Sequence, residues 1–243
     1  MKTTDIIIDT INRLPKGYVF TYGDFTPEMK SKEAIIKALN RLVQKGKIKK
    51  LSKGKYYKAE QSPFGELPPP QQQVVKDLFV SGEKTIGYLT GYSIYNQLGL
   101  TTQVSNAIQI GRNEIRPSLK RGIYTIKFIK QKNTITEKNI PLLQILDCMR
   151  SIKKIPDTSI ADASKQIVEL VKKQSANELN SMIKLSKKYP PATRALLGSI
   201  LDYIGENPDR ETLINSLNPI TSYDFSGISK VLGKQIGNWN IKL

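Results

Sequence analysis

Four prolines, Pro63 and Pro68-Pro69-Pro70, fall within eight residues around Gly65. Proline lacks an amide hydrogen and fixes φ, so neither a helix nor a central strand can run through this stretch. The run reads as a stiff connection over 61–70 that sets residues 1–60 apart from the rest. Beyond it the pattern changes once more, from turn-rich and strand-like to a helical period starting at Pro141. The expected organisation is an α+β fold with an N-terminal module at 1–60, a Pro-rich linker at 61–70, a small α/β unit at 71–140, and a mostly helical region at 141–243 packed on that unit.

Composition narrows the chemistry. The chain has 243 residues and no histidine, which removes Ser-His-Asp and Cys-His catalysis, His-containing zinc sites and the usual near-neutral proton shuttle. A lone cysteine, Cys148, excludes an internal disulfide and any multi-cysteine metal site. No run approaches the ~18 to 20 apolar residues of a membrane helix. Asp5 and Asp9 interrupt the N-terminal isoleucines, against the uncharged core of a signal peptide. A cytoplasmic protein without a membrane partner is expected.

The formal charge is +17, from 38 Lys and Arg against 21 Asp and Glu. The excess is steepest in the first sixty residues, and between Glu33 and Glu60 there is no acid while nine cations occur. Such a field attracts polyanions. A lysine-rich solvated surface has the same composition, so charge alone leaves both readings open.

Pattern adds what charge lacks. Residues 4–14 read as a helix with Ile7, Ile8, Ile11 and Leu14 on one face. Val19-Phe20 is a short extended piece, and Thr21 can cap a short helix over Tyr22–Phe25. Ser31 stands as N-cap of a third helix ending near Gln44, with Ile35, Ala38, Leu39, Leu42 and Val43 inward and Gly46 closing it. Lys47–Leu51, a turn at Ser52–Lys55, and Tyr56–Lys58 then form a basic β-hairpin. Three helices followed by such a hairpin make a winged helix-turn-helix, whose third helix enters the major groove while the wing meets phosphates. Its solvent face would carry Lys32, Lys37, Asn40, Arg41 and Gln44. Arg41 suits guanine and Asn40 adenine; Lys53 and Lys55 suit the backbone. Double-stranded DNA is the expected partner, and a winged helix used for protein contact is the alternative.

The middle segment reads as a helix over Gln71–Val80, then strands at Ala107–Ile110 and Gly122–Ile129. Between the strands lies a basic loop in which Arg112, Arg116, Lys120 and Arg121 are either a second DNA contact, a partner surface or simply solvated. Gly82-Glu83-Lys84-Thr85 superficially resembles a nucleotide loop, but Glu83 stands where the motif needs glycine. Further on, Ser175 and Glu178 open a helix as a capping box, and Gly205 ends the helix that Pro190-Pro191 begins. The tail over Thr221–Leu243, with Tyr223, Phe225 and Trp239, is expected to pack back on these helices. Asp147, Asp157, Asp162 and Glu169 with Lys172 or Lys173 lack the strand-borne carboxylate-to-lysine spacing of a magnesium nuclease. Cys148, in an apolar helix, reads as core. No catalytic residue, metal or cofactor is expected.

Several segments together resemble a known family. Phe20-Thr21-Tyr22-Gly23-Asp24-Phe25, then Ala38-Leu39-Asn40-Arg41-Leu42-Val43-Gln44-Lys45-Gly46-Lys47-Ile48, and Gly54-Lys55-Tyr56-Tyr57 are similar to the winged helix of AbiEi-type antitoxins of bacterial type IV toxin–antitoxin, or abortive-infection, systems. Gly87–Val104, with Leu98-Gly99-Leu100-Thr101-Thr102-Gln103, resembles the start of that family's second domain. Tyr189–Gly198 and Leu217-Asn218-Pro219 fit a variant with an extended helical C-terminus. The resemblance implies a non-enzymatic protein that binds the operator of its own operon as a repressor. It also implies that the protein counteracts a nucleotidyltransferase-like toxin of the AbiEii type, with or without a stable complex. A winged-helix regulator without antitoxin activity and a Mg-dependent DNA-processing enzyme are the other readings.

Overall fold

Ile7, Ile11, Phe20, Phe25, Ile35, Leu39 and Ile48 are buried together in one core, and the elements that carry them define the N-terminal end of the chain. The structure, a computed structural model, describes residues 3–26, 31–206 and 208–242. It is α+β and falls into two compact units: Met1–Leu78 with Lys120–Tyr124, and Phe79–Leu119 with Thr125–Leu243.

In the first unit, helix α1 (Thr3–Arg13) is followed by strand β1 (Val19–Phe20) and a 3-10 turn (Tyr22–Phe25). Thr21 and Asp24 form a capping box there, the Asp24 carboxylate accepting from the Thr21 amide at 2.7 Å. Helix α2 (Lys32–Gln44) starts at Ser31, whose hydroxyl accepts from the Ala34 amide at 3.3 Å. It ends in a Schellman turn. The Gly46 and Lys47 amides donate to Val43 and Leu42, which requires the left-handed φ of +68° at Gly46. Strands β2 (Lys49–Ser52) and β3 (Lys55–Tyr57) form the wing, joined by Lys53-Gly54, and β1 pairs antiparallel with β3. This is the winged-helix arrangement, with the three-stranded order β1-β3-β2.

The Pro-rich stretch is not a plain linker. Glu60–Ser62 (β4) and Gly65–Leu67 (β5) pair as a solvent-exposed antiparallel hairpin, with Pro63-Phe64 at its tip. A proline is excluded from the ladder but not from a turn, where its fixed φ is an advantage and its missing amide costs nothing. The Ser62 hydroxyl completes the turn, accepting from the Phe64 amide and donating to the Gly65 carbonyl at 2.7 Å. Helix α3 (Gln71–Val75) follows Pro70 and tightens into a 3-10 turn (Lys76–Leu78), shorter than the helix expected to reach Val80. These residues cluster with the winged helix, so the break between units falls after Leu78 and not at the prolines.

The second unit opens with a small hairpin, β6 (Val80–Ser81) and β7 (Lys84–Thr85), whose tip is Gly82-Glu83. Turn geometry accounts for that glycine, at φ +59°. Along the chain come β8 (Gly87–Thr90), the short helix α4 (Tyr92–Tyr95), β9 (Ala107–Arg112), β10 (Leu119–Arg121) and β11 (Tyr124–Lys130), ordered β10-β11-β9-β8, with Lys120–Tyr124 counted in the first unit. β8 runs antiparallel and β11 parallel to β9. Helices α5 (Ile140–Arg150), α6 (Ile160–Lys172), α7 (Ala176–Ser186), α8 (Pro191–Ile204), α9 (Arg210–Asn215) and α10 (Ser229–Leu232) complete it. A 3-10 turn (Ile152–Lys154) follows α5, and another (Gly233–Trp239) follows α10. Tyr88, Ile94, Tyr95 and Leu100 share one core with α5–α8, so the part of the middle segment in this unit and the helical region are a single packed body. Among the described residues no helix is long and apolar enough to cross a membrane.

The tail packs on this body through Tyr223, Phe225, Ile228, Leu232, Ile236, Trp239 and Ile241, with a close approach at α8. The Trp239 indole is buried against the Gly198 backbone in α8 and donates to Asp202 Oδ2 at 2.8 Å. A Cβ on Gly198 would stand 2.2 Å from the indole ring. Gly198→Ala is therefore expected to lose about 1–3 kcal/mol through overpacking. The sole tryptophan gives the readout: urea unfolding followed by Trp239 fluorescence should show a lower midpoint and a red-shifted native emission.

Candidate nucleic-acid interface

Helix α2 divides cleanly into two faces. Ile35, Ala38, Leu39 and Leu42 are buried, while Lys32, Lys37, Asn40, Arg41 and Gln44 are exposed on the other side. The 3.6-residue period of the sequence does this without help from the rest of the chain. Lys32 Nζ lies 4.7 Å above the Tyr22 ring, a cation–π contact that ties the start of α2 to the preceding 3-10 turn.

Asn40 is not a loose surface amide. Its Oδ1 accepts from the Tyr56 hydroxyl at 3.1 Å, and the Tyr56 ring stacks on Phe20 at 6.3 Å with a 26° interplanar angle. Burial raises the Tyr56 phenol above its ordinary value, so it stays a neutral donor. A residue of the wing strand thus fixes the Asn40 amide group, and the sequence offered no sign of that role. Arg41, one position on, is exposed.

On the wing, Lys53 projects from the exposed tip. Lys55 does not. Its side chain is 18% exposed and its Nζ lies 3.0 Å from Asp77 Oδ2, so the expected phosphate contact is instead an ion pair with the turn after α3. Lys49 pairs with Glu66 of the β4–β5 hairpin at 2.9 Å.

The basic loop, open to reading as a second DNA contact, a partner surface or a solvated loop, breaks up. Arg112 ends strand β9 and is 4% exposed. Arg121 is 8% exposed, donates to the Val74 carbonyl at 2.7 Å, and forks onto Asp77 with 2.5 and 2.9 Å contacts. Neither is placed to meet DNA. Arg116 and Lys120 remain exposed, Arg116 lying 3.8 Å from Glu114. Charge sign in a sequence marks a cation but not the carboxylate that will claim it.

Asp77 therefore holds Lys55, expected at the DNA backbone, and Arg121, one of the residues of the possible second contact. Burial alone would raise its carboxyl; the hydrogen bonds from Arg121 and Lys55 outweigh this and hold it below its ordinary value. A lowered carboxylate contributes stability above its unfolded value of about 3.9, and that contribution is lost as pH falls through the folded one. Asp77→Asn should cost the first unit about 1–3 kcal/mol, less than a fully buried pair because solvent reaches Asp77. Urea melts at pH 7 and pH 3 test this: the difference between parent and variant should shrink at the lower pH.

The acids of the helical region are occupied differently. Asp162 accepts from the Ser159 cap and from Lys165, and Glu169 pairs with Lys172 along α6. Asp147 is buried in a hydrogen-bonded cluster. Cys148 is buried, which pushes its thiol well above the ordinary range. Among the described residues no group of three or more His, Cys, Asp or Glu is placed to hold a metal ion.

Residues 6–179 match the profile of a family of unknown function, DUF6088. The chain belongs to DUF6088. No curated protein matches it. Among solved structures, the DUF6088 chain is similar to the RV2827C protein from Mycobacterium tuberculosis, known from a crystal structure. The TM-score is 0.58 at 14% identity, over 93% of this chain and 86% of that one. At that identity the likeness speaks to the fold alone.

Proposed function

We propose that this DUF6088 chain is a sequence-reading double-stranded DNA-binding protein that represses its own operon. We further propose that it serves as the antitoxin of a type IV toxin–antitoxin system, opposing a nucleotidyltransferase-like toxin. The observation that carries the DNA reading is the exposed face of α2. It presents Asn40, braced by Tyr56, beside Arg41, with Lys53 at the tip of the adjoining wing. Arg and Asn are the side chains that pair bidentately with guanine and adenine in the major groove. The lysines neutralise phosphates and supply affinity that falls with salt. The antitoxin role rests on the resemblance of the winged helix and of Gly87–Val104 to AbiEi-type proteins.

The roles separate by substitution. Arg41→Ala should cost about 1–3 kcal/mol on the DNA upstream of the chain's own gene and relax the preference at one base position. Lys53→Ala should weaken all sequences about equally and lower the salt slope by about one. Tyr56→Phe should lose about 0.5–1.5 kcal/mol, confined to the base that Asn40 meets. Gel-shift titrations on the upstream fragment and a scrambled control measure all three, and an Arg41→Ala protein that binds as tightly as its parent would remove α2 from the interface. For the second role, co-expression with a nucleotidyltransferase-like protein encoded beside the chain should restore growth. Arg41→Ala should keep that rescue while losing repression; failure to rescue would leave a regulator alone.

A further inference from the structure

Arg150, the last residue of α5, borders three cavities of the second unit, of about 300, 350 and 650 Å³. The first two also share Ser151 and Lys154, and the last two share Pro190, so the three adjoin around the end of α5; the set is called the trough below. Its centre is rigid. Arg150 Nη2 lies 3.0 Å from Asp147 Oδ1, and the guanidinium sits 5.5 Å from the Tyr189 ring centroid. Asp147 is 2% exposed and accepts from Tyr88 and Thr90 at 2.7 Å and from Tyr189 at 2.9 Å. Burial, then the neighbouring Asp147 charge, raises both tyrosine hydroxyls, which stay neutral donors.

The walls are cationic. Lys130, Lys132, Lys187, Lys188 and Arg194 join Arg150 around the largest cavity, and no acid lines it. Lys153 and Lys154 continue the series past Arg150, where Asp224 is the one acid on the lining. Lys188 Nζ donates to the Lys132 carbonyl at 3.3 Å, and Lys130 Nζ to the Asn113 carbonyl; these contacts hold the ammonium groups in place without neutralising them. A further feature is independent of charge. Tyr223, 8% exposed, stands in the wall of the 350 Å³ cavity, and among the described residues its buried hydroxyl has no hydrogen-bond partner. A buried hydroxyl left so is costly and calls for a partner that the described residues do not supply.

A single phosphorylated metabolite would need two or three of these cations. Here eight of them line three adjoining recesses, each of small-ligand size. The outer phosphates of a duplex favour a broad contact surface, whereas a lone strand can lay successive nucleotides into such recesses with its backbone along the lysines. We propose that the trough around Arg150 binds single-stranded nucleic acid, in addition to the duplex reading assigned to the winged helix. The two lie in different units and fail separately.

The test is fluorescence anisotropy on the full chain with labelled oligo-U RNA and oligo-dT DNA strands of about twelve nucleotides, alongside a duplex. Titrations at about 50 and 200 mM salt give the slopes. The double variant K187E/K188E, at two exposed positions, should weaken both strands about tenfold and flatten the salt slope by about 1.4, near 0.7 per lost phosphate contact. K187R/K188R should retain binding, and K53E on the wing should affect the duplex and spare the strands. Comparing RNA with DNA separates two sources of the same backbone, and either one binding through the trough supports the proposal. Strand binding that survives K187E/K188E would overturn it. So would a loss shared equally by duplex and strands, because the trough would then be part of a duplex contact.

Discussion

Tyr56 joins what would otherwise be two independent surfaces. Its ring stacks on Phe20 in the core of the winged unit, and its hydroxyl reaches the Asn40 amide on the outer side of α2. Ile35, Ala38, Leu39 and Leu42 seat α2 in that core. The hydrogen bond across the seam between helix and wing fixes its outward side chains relative to the hairpin. Base reading needs such positioning, because a bidentate contact tolerates little displacement. The exposed lysines need none of it; they act over distance and on any sequence.

Asp77 does comparable work at the other end of the wing. By taking Lys55 from β3 and Arg121 from β10, it draws a segment far along the chain into the winged unit. The cations it claims no longer contribute freely to the outward field. On the proposed reading, the surface left for DNA is smaller than the sum of basic residues suggests: the solvent face of α2 and the wing tip at Lys53.

Much of this fold was readable in the amino-acid sequence, for local reasons. The α2 boundaries follow from Ser31, the inward period and Gly46; the wing follows from two short basic strands around Lys53-Gly54; the α7 start follows from Ser175 and Glu178. The misreadings share one origin, dependence on partners distant in the chain. Prolines 63 and 68–70 excluded regular ladders but could not announce that Glu60–Ser62 and Gly65–Leu67 would pair across Pro63. Arg112 and Arg121 looked like loop cations because nothing near them in sequence shows a strand end or Asp77. The roles of Tyr56 toward Asn40 and of Arg150 among three cavities are likewise properties of the folded chain alone.

The central claim is that the outward face of α2 and the wing read a particular duplex. A hydroxyl-radical footprint of the full chain on the DNA upstream of its own gene, at about 50 and 200 mM salt, tests it most directly. The account predicts a bounded protected site that keeps its edges at the higher salt as overall affinity falls. Protection spread evenly along the fragment and lost at the higher salt would contradict it, leaving a polyanion binder without sequence preference.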